Sequence, residues 1–433
     1  MDRTLGDMPR ADVLIEGTKI VAVGPNVTGG DAVVIDASNT IVMPGFVDTH
    51  RHLWEGILRN ALPDGSLGDY LRVILGRFGP LYRPEDVYAG NLVSALGALD
   101  AGVTTVLDWS HVQNTPQHTD AAIQALRDSG IRAVFGYGAA QIAGKRWWND
   151  NSHQYPQDLR RIRKQYFASD DQLMTLALAA SGPNFGTQEV AMREWQAARE
   201  VGVRVSTHLG VGPATKGSLE PLGRAGALNI PATYIHCNYL SETEWKMIAD
   251  SGGTVSVSPL VEMYMGHGIP ATQAALDHGI QPSLSVDVET SLPTDFFTQM
   301  RTAMAAQRGE AFERLRRAEK DSPRPLTSRQ VLAFATVEGA RTNGLDNRVG
   351  SLTPGKQADI IMLRTDRINV MPINDPLGAV VQGMSPQNVD TVLIAGRMVK
   401  REGKLVGVDL ANVEAQVRAS QGYLLSRAGG LSG

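Results

Sequence analysis

The chain has little of what marks several classes of protein. A single cysteine among 433 residues, Cys237, excludes an intramolecular disulfide and fits a reducing compartment. As a small apolar side chain it needs no further role. No stretch approaches the roughly 20 uninterrupted apolar residues of a membrane helix, and the opening Met1-Asp2-Arg3-Thr4-Leu5-Gly6-Asp7 lacks the apolar core of a signal peptide. Basic charge is not in excess either. With 41 Lys and Arg against 45 Asp and Glu, the formal net charge is −4 and no long Lys/Arg cluster exists, which argues against a phosphate-backbone partner. There is no internal repeat beyond a strand–helix alternation and no low-complexity segment. These absences lead to an expectation of a cytoplasmic protein whose partner is a small molecule, with neither nucleic acid nor membrane involved.

What is present suits a large globular enzyme. At 42% hydrophobic and 20% charged residues, the chain can build a full core and a second, smaller unit. The first forty residues read as short strands divided by turns: Ala11 to Glu16, Lys19 to Val23, Val33 to Asp36 and Thr40 to Met43. After Pro44-Gly45, apolar runs closing on polar residues alternate with helical patterns. The strand candidates are Thr104 to Leu107, Ala133 to Phe135, Leu173 to Leu178, Val203 to Thr207, Thr233 to Ile235, Thr254 to Val257 and Pro282 to Val286. Helical spacing falls at 84–101, 119–129, 187–201 and 241–251. About eight such units predict a closed parallel (β/α)8 barrel. Short strands return at 350–353, 358–363, 389–394 and 397–400, and a polar helix is predicted over 409–427. The expected fold is therefore α/β, a TIM barrel over 45–348 inserted in a small β-sandwich domain built from 1–44 and 349–433.

In such a barrel the strand ends converge on one open face, so a polar residue closing an apolar strand is a candidate for chemistry. Phe46-Val47-Asp48-Thr49-His50-Arg51-His52 ends with two histidines two apart, on the same side of a strand. Val203 to His208 ends in one histidine, Thr233 to His236 in another, and Pro282 to Asp287 in a carboxylate. Singly, each fits a hydrogen-bonded strand end. Jointly, three imidazoles and one carboxylate make a credible ligand set for Zn²⁺ or Fe²⁺. Such a cation lowers the pKa of water from about 15.7 to about 7, which supplies a nucleophile at neutral pH.

At these residues the chain resembles the amidohydrolase superfamily, in the subgroup containing atrazine chlorohydrolase-like enzymes and cytosine, guanine and S-adenosylhomocysteine deaminases. The resemblance runs from Ala11-Asp12-Val13-Leu14-Ile15-Glu16-Gly17 and the Pro44-Gly45 to His52 segment to Gly350-Ser351-Leu352-Thr353-Pro354-Gly355-Lys356-Gln357-Ala358-Asp359. It implies that His50, His52, His208 and Asp287 bind the metal, that Asp287 also takes a proton from the water, and that His236 contacts the water or substrate. It implies one metal, because the fourth-strand candidate, Thr175 to Ala180, does not end in lysine. A homodimer is common among relatives.

The resemblance breaks at one position. Many members carry a proton-shuttling glutamate three residues after the third metal histidine, and here that residue is Val211. Valine transfers no proton, a loss worth roughly 10² to 10⁴ in rate where that acid is required. Glu262, just after the seventh-strand candidate, is the first choice as substitute catalytic residue, with Glu289 and His111 behind it. Trp54, Tyr70 and Trp109 are candidate substrate contacts, with Arg59, Tyr264 and Met265 as further lining. The pair Trp147-Trp148 could cover the site or simply pack on the barrel. Two outcomes are expected at one metal: hydrolysis of a carbon–nitrogen bond, by deamination or amide or lactam cleavage, or displacement of a halide or alkylamine. The same fold without activity, a pseudoenzyme, is the third alternative.

Overall fold

A computed structural model describes residues 1–2, 4–140 and 157–431. In chain order the strands are β1 (Asp12–Glu16), β2 (Lys19–Gly24), β3 (Thr40–Pro44), β4 (Phe46–Arg51), β5 (Val103–Ser110), β6 (Arg132–Tyr137), β7 (Met174–Ala180) and β8 (Arg204–Leu209). They continue with β9 (Ala232–His236), β10 (Thr254–Val257), β11 (Ser283–Leu284), β12 (Ile360–Arg364), β13 (Val389–Ile394), β14 (Arg397–Arg401) and β15 (Lys404–Leu405). Strands β4 to β11 form one parallel sheet in sequential order. Every residue of β4, β5 and β6 is buried, because helices cover the outside and side chains fill the inside.

The sheet curls shut between its first and last strands. Asp287 N donates to His50 O and His52 N donates to Asp287 O, both at 2.9 Å. Below this join, Thr49 Oγ1 meets the hydroxyls of Ser256 and Ser283 and donates to Leu284 O, so a polar inner layer holds β4 against β10 and β11. The covering helices begin and end where local chemistry dictates. Thr187 caps Gln188–Val201 by accepting from Val190 N, and Gly202 ends it in a left-handed conformation that a side chain would strain. Ser241 and Glu244 form a reciprocal capping box at Glu242–Asp250.

The chain ends come together as expected. The second sheet runs β15-β14-β13-β12-β3, so a strand from the start of the chain pairs antiparallel with β12 and completes a sheet with four strands from its end. The β1–β2 hairpin lies beside it through Ile20 N to Lys356 O and Ala358 N to Thr18 O. Ile20, Ala358, Ile360 and Leu393 form the apolar layer there. The buried Arg132–Asp359 ion pair, 2.7 Å, ties this region to the barrel.

Some expected strands are absent. Val33 to Asp36 is β-branched but finds no partner, and Val33 and Val34 stay 92% and 88% exposed. Gly350 to Thr353 forms no strand, and the last barrel strand is only two residues long. Trp147-Trp148 lies outside the described residues. No helix among the described residues is long and apolar enough to cross a membrane.

Candidate metal centre and cavity

The ends of β4, β8, β9 and the short last strand bring five side chains to one spot. His50, His208, His236 and Asp287 each offer one ligand atom, all within 4.8 Å of one another. Asp287 Oδ1 stands 2.9 Å from His50 Nε2 and 3.2 Å from His52 Nε2, and its other oxygen is 3.7 Å from His236 Nε2. All five are buried. Burial alone raises the Asp287 carboxyl, but His50 and the hydrogen bonds from His50 and His52 hold it well below the usual carboxylate range. Burial pushes His50 down to about 3 and His208 well below its ordinary value, so both imidazoles stay neutral and keep a lone pair for a cation.

The donor set fits a divalent metal. Buried His50 Nδ1 and His208 Nδ1 make no hydrogen bond, which is costly unless the rings serve another purpose. His52 Nδ1–H donates to Trp109 O at 2.8 Å, which fixes its tautomer and leaves Nε2 toward Asp287. His236, Cys237 and Asp287 have φ of 74°, 59° and 72°, a left-handed conformation that costs side-chain-bearing residues of order 1–3 kcal/mol each and clusters at functional sites.

A cavity of about 240 Å³ opens onto this centre. Tyr70, Trp109, His111 and Met265 line it, as expected from sequence, with Val211 on its wall. Trp54 stands one layer back and donates Nε1–H to His111 Nδ1 at 3.2 Å. Tyr264 is about half exposed, with its hydroxyl donating to Pro63 O, and is not among the lining residues.

Two carboxylates expected to face the substrate do otherwise. Glu262 is fully buried behind His236: Oε1 accepts His236 Nδ1–H at 3.1 Å and Ser258 N–H at 2.7 Å, and Oε2 accepts from Asn238 Nδ2 at 3.3 Å. It sits in the first turn of the helix Pro259–Tyr264, so its carboxylate folds back on the helix start instead of entering the cavity. Glu289 is enclosed by Arg51 at 2.6 Å, Arg59 at 2.6 Å and Ser94, and the Arg51 and Arg59 charges hold it down to about 2 against burial. Neither replaces the missing acid by direct contact.

Three polar groups at the site escaped the sequence reading. Glu55 is buried near His52 and accepts the Tyr70 hydroxyl at 2.5 Å, and burial pushes its carboxyl up to about 8. A lone carboxylate within Leu53-Trp54-Glu55-Gly56-Ile57-Leu58 was the available signal. Asn184 Oδ1 accepts the Val211 backbone N–H at 3.0 Å, and its Nδ2 has no partner. His267 lines the cavity with its ring edge-on to His236, centroids 4.8 Å apart.

Comparison with known proteins agrees with this geometry. The sequence pattern described as "Amidohydrolase family" matches residues 41–399. A 5'-deoxyadenosine deaminase of Methanosarcina barkeri is 26% identical over 439 residues, spanning 99% of this chain and 96% of that protein. A 5-methylthioadenosine/S-adenosylhomocysteine deaminase of Pyrococcus abyssi is 26% identical over 415 residues, spanning 93% and 92%. Among solved structures, an adenosine deaminase from Xanthomonas campestris with bound zinc superposes with a TM-score of 0.82 at 22% identity, covering 96% of this chain and 94% of its own. An atrazine chlorohydrolase from Arthrobacter aurescens complexed with zinc superposes with a TM-score of 0.80 at 22% identity, covering 97% of both chains.

Proposed function

The chain belongs to the amidohydrolase family, and from that membership we propose that it hydrolyses a carbon–nitrogen bond of a small nitrogen heterocycle at one divalent cation held by His50, His52, His208 and Asp287. Zinc is the first choice and iron the second. A cation there supplies Lewis acidity that brings the pKa of a water to about 7. The remaining work falls to the protein's own groups. Asp287, kept ionised, accepts the water proton at a carboxylate oxygen and returns it to the leaving nitrogen. His236 presents Nε2 to the atom under attack, where it polarises the bond or steadies developing negative charge. Glu262, hydrogen-bonded to Nδ1, orients that ring. Glu262 acts here as a positioning residue.

One observation carries this reading: three imidazoles, a carboxylate and a carboxylate-backed fourth imidazole, drawn from four strand ends, converge on one cavity. The deaminases among its relatives favour release of ammonia. Val211 in the cavity wall favours a second reading, amide or lactam opening, in which Asp287 alone can move the proton. Metal analysis of purified protein followed by a panel of aminated heterocycles, lactams and N-acyl compounds tests both. About one equivalent of metal is expected, with ammonia or new carboxylate assayed separately. Protein that holds almost no metal and turns over nothing would refute the proposal and favour a non-catalytic role.

A further inference from the structure

His267 is a buried histidine that no protein group satisfies. It is 4% exposed, and neither Nδ1 nor Nε2 has a hydrogen-bond partner. Leaving an imidazole dry and unpaired costs folding free energy, whereas a phenylalanine of similar shape would cost nothing of the kind. The ring is nonetheless held firmly in the cavity. Its loop is pinned by Leu67 N to Met265 O at 3.0 Å, by Gly268 N to Glu262 O at 3.1 Å, and by Asn238 Nδ2 to Ile269 O at 2.9 Å. Gly268 adopts φ 140°, and a side chain there would run into the Tyr239 ring. The loop thus drives one polar ring inward and keeps it edge-on to His236, the ring nearest the reacting bond.

We propose that His267 binds substrate: one of its ring nitrogens hydrogen-bonds the edge of an uncharged nitrogen heterocycle lying over the metal centre. This rests on the hydrolytic reading above and adds the recognition group to it. Burial holds the imidazole down to about 3, so the ring stays neutral and offers one N–H donor and one bare nitrogen acceptor, and no counter-ion. Among the described lining residues, Asp287 is the only carboxylate and there is no lysine or arginine. Leu67, Leu71, Leu75 and Val288 add apolar wall, and Asn184 adds one uncharged amide. An uncharged planar ring with a single polar edge is the ligand that these groups complement.

The zinc-loaded protein tests this with two variants, His267→Phe and His267→Asn. His267→Phe should melt at or above the wild-type temperature, because it removes an unsatisfied group. A clear drop in melting temperature would mean that the ring nitrogens serve the fold and would overturn the proposal. On the best substrate from the panel, His267→Phe should raise KM about tenfold or more with kcat changed less, and His267→Asn should recover much of that loss. An unchanged KM in His267→Phe would also overturn it. Wild-type crystals soaked with adenine should have a ligand or water atom about 3 Å from a His267 ring nitrogen. Both nitrogens bonded instead to protein would be decisive against it. A panel without turnover counts against the hydrolytic reading, and the melting and crystallographic results still decide the role of His267.

Discussion

Two buried polar clusters flank the end of β4, and they differ in how completely they are satisfied. On one side Arg51 pairs with Glu289 and Asp48, Arg59 closes on Glu289, and Ser94 completes the set, so opposite charges meet within the cluster itself. On the other, His50, His208 and His267 keep nitrogens that no protein group hydrogen-bonds. Both clusters are buried, and both cost desolvation. The first resembles a brace and the second a socket. Buried polarity alone does not separate structure from function; whether the polarity is already answered does.

The sharpest way to break this contrast is at the socket. Asp287→Asn should cut turnover by at least about 10³-fold and reduce bound metal, measured by kinetics and elemental analysis, while the fold survives. Retained metal and activity would remove the assignment. At the brace, Glu289→Gln leaves Arg51 buried with a weakened partner and should cost about 3–5 kcal/mol in denaturant unfolding, with metal per folded molecule unchanged. If metal is lost while stability is kept, the two clusters have been assigned the wrong way round. Glu262→Gln lies between them. It should lower kcat roughly 10–100-fold and move the pH–rate profile without releasing metal, as expected for a group acting through His236.

The smallest effect is in pH dependence without metal. His50 and His267 are held down to about 3, and His111 and His208 well below their ordinary values, all chiefly by burial. Unfolded, each takes a proton near pH 6.5, so acid favours the unfolded chain, and stability falls by about 1.4 kcal/mol per pH unit per group below that point. The acids Asp48 and Asp108, pushed up to about 7, and Glu55, pushed up to about 8, act in the opposite direction. Their contribution is complete below their unfolded values and is lost as pH rises through 7 to 8. Melting of metal-free protein across pH should peak near pH 6 to 7. A flat profile would mean that these groups are wetter than the structure has them.

The barrel and the convergence of its histidines and Asp287 were legible because strand ends obey a simple rule. An apolar run that closes on histidine or aspartate leaves few other positions for that side chain, and β4, β8 and β9 follow the rule. The rule failed where the chain stops being a strand. Glu289 lies two residues after Asp287 and shares its parity, but β11 ends at Leu284, so alternation no longer predicts direction. Glu262 pointed backward because it opens a helix, and Val33 to Asp36 had strand-forming residues without a neighbour to pair with. His267 sits on a loop and Asn184 on the short helix Gly182–Phe185, and the placement of both depends on contacts far along the chain, such as Asn238 to Ile269 and Val211 to Asn184. Periodicity carries no information about such contacts.

The join between first and last strands has a mechanical consequence. His50 and His52 sit on one lip of that join and Asp287 on the other, with a two-residue strand and the Thr49 hydroxyl contacts beneath to hold the ring shut. The ion proposed here, gripped by both lips, would work as a clasp on the cylinder as well as a reagent in its mouth. Chelation should therefore spring the ring at this one slit and leave the far staves intact.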